Sequence, residues 1–177
     1  MIGYLIATLA TGIIHFVFDN YFSENTPILG FIVDEFRKHH TDPGKIARED
    51  NLQCLITTFL SANLVLPIVL LTIFKFNFNP ILMNIFLSST VFMCITNLVH
   101  RQNHLKDINN IPYWHKFMYN KGIFQSPQEH QIHHTAPHNK SFCILSDIFN
   151  PFLNRKDFWK KTTVVVKKIT GVDAVDF

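Results

Sequence analysis

The sequence has little of what a soluble redox enzyme or a disulfide-stabilised domain requires. Its three cysteines are odd in number, and Cys54 and Cys94 lie inside apolar runs, which argues against a disulfide framework or a zinc knuckle. The chain contains no G-x-G-x-x-G, C-x-x-C or C-x-x-C-H, so it has no recognisable nicotinamide, iron–sulfur or c-type haem site. Glu-x-x-His is also absent, which excludes the ligand scheme of the soluble di-iron bundles.

Basic residues are missing from two long stretches of the chain. Lysine and arginine are absent from the first 36 residues and from 76–100, whereas they are dense at 37–48 and 155–168. With a net charge of +3 and 47% apolar residues, this segregation indicates a membrane topology rather than a nucleic-acid-binding surface. The first apolar run has no basic segment before it and no small-residue cleavage site after it, so we expect a retained membrane anchor.

Three apolar runs are long enough to cross a bilayer as helices, which takes about 20 residues. They occupy about residues 2–18, 52–74 and 81–99. Pro67 interrupts the second run, but a membrane helix accommodates a proline as a kink, and the FNFNP turn at 76–80 joins the second and third runs as a hairpin. We therefore predict an all-α, multi-pass membrane protein with one domain over residues 1–177, about three transmembrane helices and additional interfacial helices.

The basic residues around these runs predict their orientation. They cluster between the first and second runs and again after the third, whereas the hairpin offers only Lys75. Because basic segments stay on the cytoplasmic side of a membrane, we expect segments 19–51 and 100–177 to share that side. For a eukaryotic chain we expect the endoplasmic reticulum membrane, with any active site in these two segments facing the cytoplasm.

Nine of the ten histidines fall in four short stretches, in or beside the segments predicted to be cytoplasmic. Their spacing places side chains on shared helical faces: His100 and His104 are i and i+4, and three histidines within 130–134 are i, i+3 and i+4. Each stretch alone is a weak pattern, but together they predict a metal site. The candidate ligands are His15, His39, His40, His100, His104, His130, His133, His134 and His138.

So many imidazoles exceed the three or four ligands of a zinc site, which implies two metals. Imidazole suits iron, copper, nickel and zinc. Because metal-bound imidazoles often donate their second N–H to a carboxylate, Asp42 and Glu129 are candidates for that role, although Asp42 equally suits a turn before Pro43. Asp19, four residues after His15, is a candidate for the same role or for a direct ligand. His115 lies outside the stretches, and we expect it at the membrane interface or in support of a ligand.

The segments HFVFDNY, FRKHHTDP, HRQNH and HQIHHTAPHNKSFCI, in that order, resemble the Kua or plasmanylethanolamine desaturase family. That family also includes a plastid palmitate desaturase and a bacterial carotenogenesis regulator. The resemblance extends from about residue 12 to about residue 172, and its most specific part is HQIHHTAPH followed by FCI. The chain departs from the animal members after HHTDP, where it reads REDNLQCLI, and in its short N-terminus. These departures leave the candidate ligands intact but affect the substrate pocket.

The resemblance implies an oxygen-dependent desaturase of membrane lipids that holds two iron ions, with Asp19 also functional in catalysis. The ligands carried over by motif are His15, His39, His40, His100, His104, His130, His133 and His134. It favours the reaction of the animal members, which introduce the vinyl-ether double bond of plasmalogens. Two other enzymatic functions are alternatives: an acyl-lipid desaturase and a di-iron lipid hydroxylase. The non-enzymatic alternative is a metal-dependent membrane scaffold or regulator.

The expected partners follow from the same analysis. The chain has no redox cofactor motif of its own, so electrons are expected from an external donor such as a cytochrome b5-like protein with its reductase, or a ferredoxin. Oxygen is the expected co-substrate and a membrane phospholipid the expected substrate. No nucleic-acid partner is expected, and the sequence leaves the oligomeric state open.

Overall fold

A computed structural model describes residues 1–56, 75, 79–105 and 108–175, and all regular secondary structure within them is helical. The all-α prediction is confirmed for this part of the chain. In chain order the elements are α1 (Ile2–Asn20), α2 (Gly30–Thr41), α3 (Gly44–Arg48), α4 (51–56), α5 (Pro80–Cys94), α6 (Thr96–Asn103), a 3₁₀ turn (Ile108–Asn110), α7 (Tyr113–Asn120), α8 (Pro127–His133), α9 (Asn150–Arg155) and α10 (Phe158–Thr170).

Two helical stretches among the described residues are long and apolar enough to cross a membrane. The first is α1, with 19 residues, and the second is the 24-residue stretch Pro80–Asn103, which contains α5 and α6. They match the first and third predicted runs. The predicted span at 52–74 lies mostly outside the described residues, of which 51–56 are helical.

Glycine allows α1 to lie directly against α5. A Cβ at Gly3 would meet Ser88 Oγ at 2.0 Å and the backbone nitrogen of Ser89 at 2.8 Å, so a larger residue does not fit at this crossing. Small residues at such crossings are typical of helices that pack within a membrane. Ser89 Oγ donates to the Ile85 carbonyl at 2.7 Å, which satisfies its polar group within α5. The close approach fixes the position of α1 relative to the helices that follow α5.

The C-terminal half of the chain packs along the side of α1. Tyr4, near the start of α1, bonds through its hydroxyl to Ser146 Oγ at 2.6 Å and to the Ile123 carbonyl. Tyr4 lies about 16 Å along the helix from His15, so the contacts extend over about three turns. Two buried clusters fill the interface: one contains Phe16, Phe142, Cys143, Leu153 and Trp159, and the other contains Ala7, Val99, Phe124 and Leu145.

Candidate metal centre

Nine side chains that can ligate a metal form two adjoining groups. The five-histidine group contains His39, His100, His104, His130 and His134, and the Asp19 group contains His15, Asp19, His40 and His133. Within each group, one candidate ligand atom from every residue lies within 4.8 Å of all the others. The structure therefore brings together eight of the nine histidines that the sequence nominated, and Asp19 with them.

Four helices deliver these side chains from distant parts of the sequence. His15 and Asp19 lie one turn apart near the end of α1, and the end of α2 carries the His39–His40 pair. The remaining ligands come from two further segments: His100 and His104 from α6 and its C-cap, and His130, His133 and His134 from α8 and its C-cap. The ends of these helices therefore meet at one place.

Two pairs of neighbouring histidines, His39–His40 and His133–His134, each contribute one side chain to each group. Consecutive residues of an α-helix point about 100° apart, because a turn takes about 3.6 residues. His39 accordingly belongs to the five-histidine group and His40 to the Asp19 group, and His134 and His133 are divided in the same way. Each pair thus ties the two groups together through a single peptide bond.

The spacing of the nitrogens in the five-histidine group fits a shared cation. His104 Nε2 lies 2.7 Å from His130 Nε2, 3.0 Å from His39 Nε2 and 3.2 Å from His100 Nε2. A neutral imidazole carries one N–H, so one nitrogen cannot satisfy three such contacts by hydrogen bonding. Two nitrogens bound at right angles to one metal, each at about 2.1 Å, lie about 3 Å apart. The donor set therefore suits a metal ion better than a hydrogen-bonded network.

Asp19 provides negative charge to the second group. Its Oδ2 lies 3.3 Å from His15 Nε2, 3.3 Å from His40 Nε2 and 3.6 Å from His133 Nε2. The nitrogens of His133 and His15 are themselves 3.1 Å apart. Asp19 is only 4% exposed, and a cationic partner stabilises a carboxylate buried to this extent. Three imidazoles and one carboxylate oxygen form a ligand set for one metal.

Burial and mutual repulsion lower the pKa values of four of the imidazoles that lie after the second apolar stretch. Burial, followed by the neighbouring histidines, lowers the pKa of His134 to about 3. The same two causes lower the pKa of His104 to about 4 and hold the pKa values of His130 and His133 well below the usual 6.5. Because a metal binds the unprotonated ring, these side chains are ready to bind a cation at neutral pH.

His138 and Glu129 lie next to the groups without joining them. His138 Nδ1 is 3.3 Å from His40 Nδ1 and 3.1 Å from the His133 carbonyl oxygen, so the ring contacts two ligand residues from outside. The Glu129 carboxylate accepts a hydrogen bond from Ser141 Oγ at 2.6 Å. Neither side chain belongs to the five-histidine group or the Asp19 group.

Asp42 and His115 also lie away from both groups. The exposed Asp42 carboxylate accepts a hydrogen bond from Arg48 at 2.6 Å, as suits a residue of the turn between α2 and α3. His115 is fully buried and contacts Asn103, the residue before His104, as expected for a side chain that supports a ligand. Its Nε2 donates to Asn103 Oδ1 at 3.0 Å, and its ring stacks on Phe124.

Buried amides beside the ligands were not identified from the sequence. Asn103, adjacent to His104, donates to Gln125 Oε1 at 3.3 Å, and Gln125 Nε2 donates to the Cys143 carbonyl at 3.0 Å. Asn150 makes two further hydrogen bonds with the backbone of Cys143: its Oδ1 accepts from the Cys143 amide and its Nδ2 donates to the Cys143 carbonyl. These hydrogen bonds connect the end of α6 to residues 141–146, a non-helical segment that packs against α1. Its position beside His104 could have nominated Asn103, whereas Gln125 and Asn150 have no candidate ligand beside them in the sequence.

The chain is similar to known lipid desaturases over most of its length. The family profile described as the lipid desaturase domain matches residues 4–176. A probable fatty acid desaturase of Acanthamoeba polyphaga mimivirus is 31% identical over 174 residues, which cover 97% of this chain and 82% of that protein. Plasmanylethanolamine desaturase 1 of Mus musculus is 28% identical over 181 residues, and chloroplastic fatty acid desaturase 4 of Arabidopsis thaliana is 30% identical over 175 residues.

The last two matches each cover 96% of this chain. The chain spans 64% of the mouse protein and 51% of the plant protein, so these relatives contain additional sequence. No solved structure matches the chain.

Proposed function

This chain belongs to the lipid desaturase domain family, and from that premise we propose that it is an oxygen-dependent oxidoreductase that introduces a carbon–carbon double bond into a membrane lipid. The observation that carries the proposal is the pair of adjoining ligand groups, in which eight imidazoles and one carboxylate converge. The two apolar stretches of membrane-spanning length support a substrate that resides in a bilayer.

Two iron ions, one in each group, are the proposed cofactor. Imidazole nitrogen and carboxylate oxygen suit iron, and neither group contains a thiolate. Iron held by these residues would supply, with O2, the strong oxidant that an unactivated methylene group requires. Burial lowers the pKa values of His104, His130, His133 and His134, and the helix ends hold these rings in place.

An external electron donor completes the proposed reaction. Desaturation removes two hydrogen atoms from the lipid, and two electrons and two protons from outside complete the reduction of one O2 to two waters. We assign the electrons to a cytochrome b5-like protein or a ferredoxin, because the sequence has no nicotinamide, iron–sulfur or c-type haem motif. Four exposed lysines of α10 offer an acidic donor a complementary surface: Lys160, Lys161, Lys167 and Lys168.

For the substrate we propose the alkyl chain of plasmanylethanolamine, which would become the vinyl ether of a plasmalogen. The names of the relatives from Mus musculus and Myxococcus xanthus support this choice. An acyl-lipid substrate is the second candidate, because the mimivirus relative of which the chain covers 82% is named a probable fatty acid desaturase. In a eukaryotic cell, the proposed location is the endoplasmic reticulum membrane with both ligand groups on the cytoplasmic side.

Lipid analysis of cells that express the chain tests the proposal. Cells without plasmalogen synthesis would receive either the wild-type chain or His134→Ala, which removes one imidazole of the five-histidine group. We expect vinyl-ether lipids with the wild type and none with the variant. A new acyl double bond without vinyl ether would replace the proposed substrate with the second candidate. A hydroxylated lipid without an alkene, or a lipid profile that the wild type leaves unchanged, would contradict desaturation.

A further inference from the structure

Residues 138–141 lie against the outer side of the Asp19 group. His133 and His40 both direct Nε2 toward Asp19, at 3.6 and 3.3 Å, so the Nδ1 atom of each ring faces outward. The outward Nδ1 of His133 donates to the main-chain carbonyl of Lys140 at 2.9 Å. The outward Nδ1 of His40 lies 3.3 Å from His138 Nδ1. One short segment thus contacts two of the three imidazoles of this group.

His138 ties the segment to a ligand residue in either of its neutral tautomers. Without a proton on Nδ1, the ring accepts the N–H of His40. With a proton on Nδ1, it donates to the His133 carbonyl oxygen, 3.1 Å away. His138 has a positive φ of 59°, a region in which histidine, asparagine and aspartate are the commonest residues after glycine. The two contacts hold its ring beside the Asp19 group.

Asn154 of α9 anchors the other end of the segment. The Ser141 amide donates to Asn154 Oδ1 at 3.0 Å, and Asn154 Nδ2 donates to Ser141 Oγ at 2.9 Å. Ser141 Oγ in turn donates to Glu129 of α8 at 2.6 Å. Ser141 is fully buried and has a positive φ of 58°, so these bonds hold it in an unfavourable conformation. The Lys140 carbonyl that His133 contacts belongs to the same peptide unit as the Ser141 amide that Asn154 holds.

We propose that residues 138–141, anchored by Asn154, form a positioning loop that orients His133 and His40 for metal binding in the Asp19 group. The inference rests on the proposed function, because it takes the Asp19 group as one of two iron sites. Outer partners of this kind fix the tautomer and the orientation of a ligand ring, and their loss weakens metal affinity by about 10- to 100-fold. The two loop contacts reach members of the Asp19 group, so the five-histidine group should keep its iron when the loop is altered.

Iron binding by the purified full-length chain tests the inference. The iron-free chain in detergent would be titrated with iron(II) under anaerobic conditions against a competing chelator, and iron per chain would be measured by elemental analysis. We expect the wild type to bind two ions tightly. Asn154→Ala and His138→Ala should keep one and bind the second about 10- to 100-fold more weakly. The thermal unfolding temperature of each iron-free variant reports whether the fold is preserved.

Conservative and control variants separate positioning from folding. His138→Asn keeps a side-chain donor and acceptor near the ring Nδ1 and tolerates the positive φ, so it should restore most of the affinity. Asn154→Asp keeps the acceptor for the Ser141 amide and should give an intermediate affinity. Asn120→Ala makes the same change at an exposed asparagine at the end of α7, outside the loop, and should bind two ions like the wild type.

The possible failures are distinguishable. If both alanine variants bind two ions with wild-type affinity, the positioning role is wrong and the proposed function stands. If Asn154→Ala loses both ions and its iron-free form unfolds at a lower temperature, while His138→Ala is normal, Asn154 serves the fold and the inference is wrong. If the wild type binds no iron, the proposed function and the inference fail together.

Discussion

Asp19 supplies the only carboxylate among the nine candidate ligands of the two groups in the described residues. Its Oδ2 faces all three histidines of its group at 3.3–3.6 Å. Asp19→Asn removes the negative charge but keeps the shape, so the group loses the ligand that offsets the charge of a cation. We expect the second iron to bind at least about tenfold more weakly, and iron per chain to fall from two toward one after dialysis.

Asp42→Asn is the matched control for this prediction. It makes the same chemical change in an exposed carboxylate that pairs with Arg48. Surface ion pairs contribute about 0–1 kcal/mol to stability, so both ions should remain bound. Equal iron contents in the Asp19 and Asp42 variants would contradict a ligand role for Asp19.

His115 should make stability depend on pH. Burial lowers its pKa to about 4, whereas the unfolded chain has the usual value of about 6.5. Between these values the unfolded chain binds a proton that the folded chain does not, so stability is full above about pH 6.5 and falls as the pH drops toward 4. His115→Gln does not titrate and retains an N–H donor for Asn103.

Thermal unfolding of the iron-loaded protein from pH 7 to pH 5 measures this effect. The unfolding temperature of the wild type should fall more steeply with decreasing pH than that of His115→Gln, because the variant lacks this one titration. Parallel curves for the two proteins would show that His115 contributes nothing to the pH dependence.

The spacing of histidines along single helices predicts the candidate ligands but does not predict which of the two groups each of them joins. The i and i+4 spacing of His100 and His104 predicts a shared face, and both lie in the five-histidine group. The division of His39 from His40 depends on which helices pack beside α2, and spacing within one helix carries no information about that. The burial of His115 depends on Phe124 and Asn103 in the same way.

Gly12 allows α1 to lie close to the non-helical segment 141–146, which contains Cys143. A Cβ at this position would lie 2.6 Å from Cys143 Sγ, 3.2 Å from its Cα and 3.3 Å from its backbone nitrogen. Gly12→Ala must therefore push the two segments apart, one turn from His15 and Phe16. We expect a loss of about 1–3 kcal/mol in the free energy of unfolding, measured in detergent, from overpacking.

Cys143→Ala should partly rescue Gly12→Ala. Removing Sγ takes away the shortest contact but leaves the two backbone contacts, so the double variant should be more stable than the sum of the two single changes predicts. Strict additivity of the two effects would mean that the Cβ does not meet Cys143.

The long helices could be predicted from the sequence, whereas the packing of the short ones could not. An apolar run of membrane-spanning length identifies α1 and the Pro80–Asn103 stretch, because length and hydropathy alone decide such an assignment. The C-terminal half packs along α1 through contacts between distant residues, such as the hydrogen bond between Tyr4 and Ser146, which are 142 residues apart. No local pattern encodes a contact of that range.

The convergence of the ligands constrains the topology of the whole chain. The end of α1, the end of α2, the end of α6 and α8 all meet at the two ligand groups. The backbone N–H of Val175 donates to the carbonyl of Asn20 at 3.1 Å, which brings the C-terminal segment to the same end of α1. If α1 and the Pro80–Asn103 stretch cross a bilayer, the segment after α1 and the C-terminal segment must lie on one side of it.

Single cysteines in sealed vesicles test this topology. Glu24→Cys and Val172→Cys place thiols at exposed positions near the ligand groups, and Lys75→Cys places one at the predicted hairpin. A membrane-impermeant maleimide should label the first two from the same side and the third only from the opposite side, since basic segments remain cytoplasmic. Cys54 and Cys143 are buried and Cys94 is partly buried, so the unaltered chain gives the background. Labelling of positions 24 and 172 from opposite sides would contradict the convergence of the histidines, because ligands of one metal centre cannot be divided between two faces of a membrane.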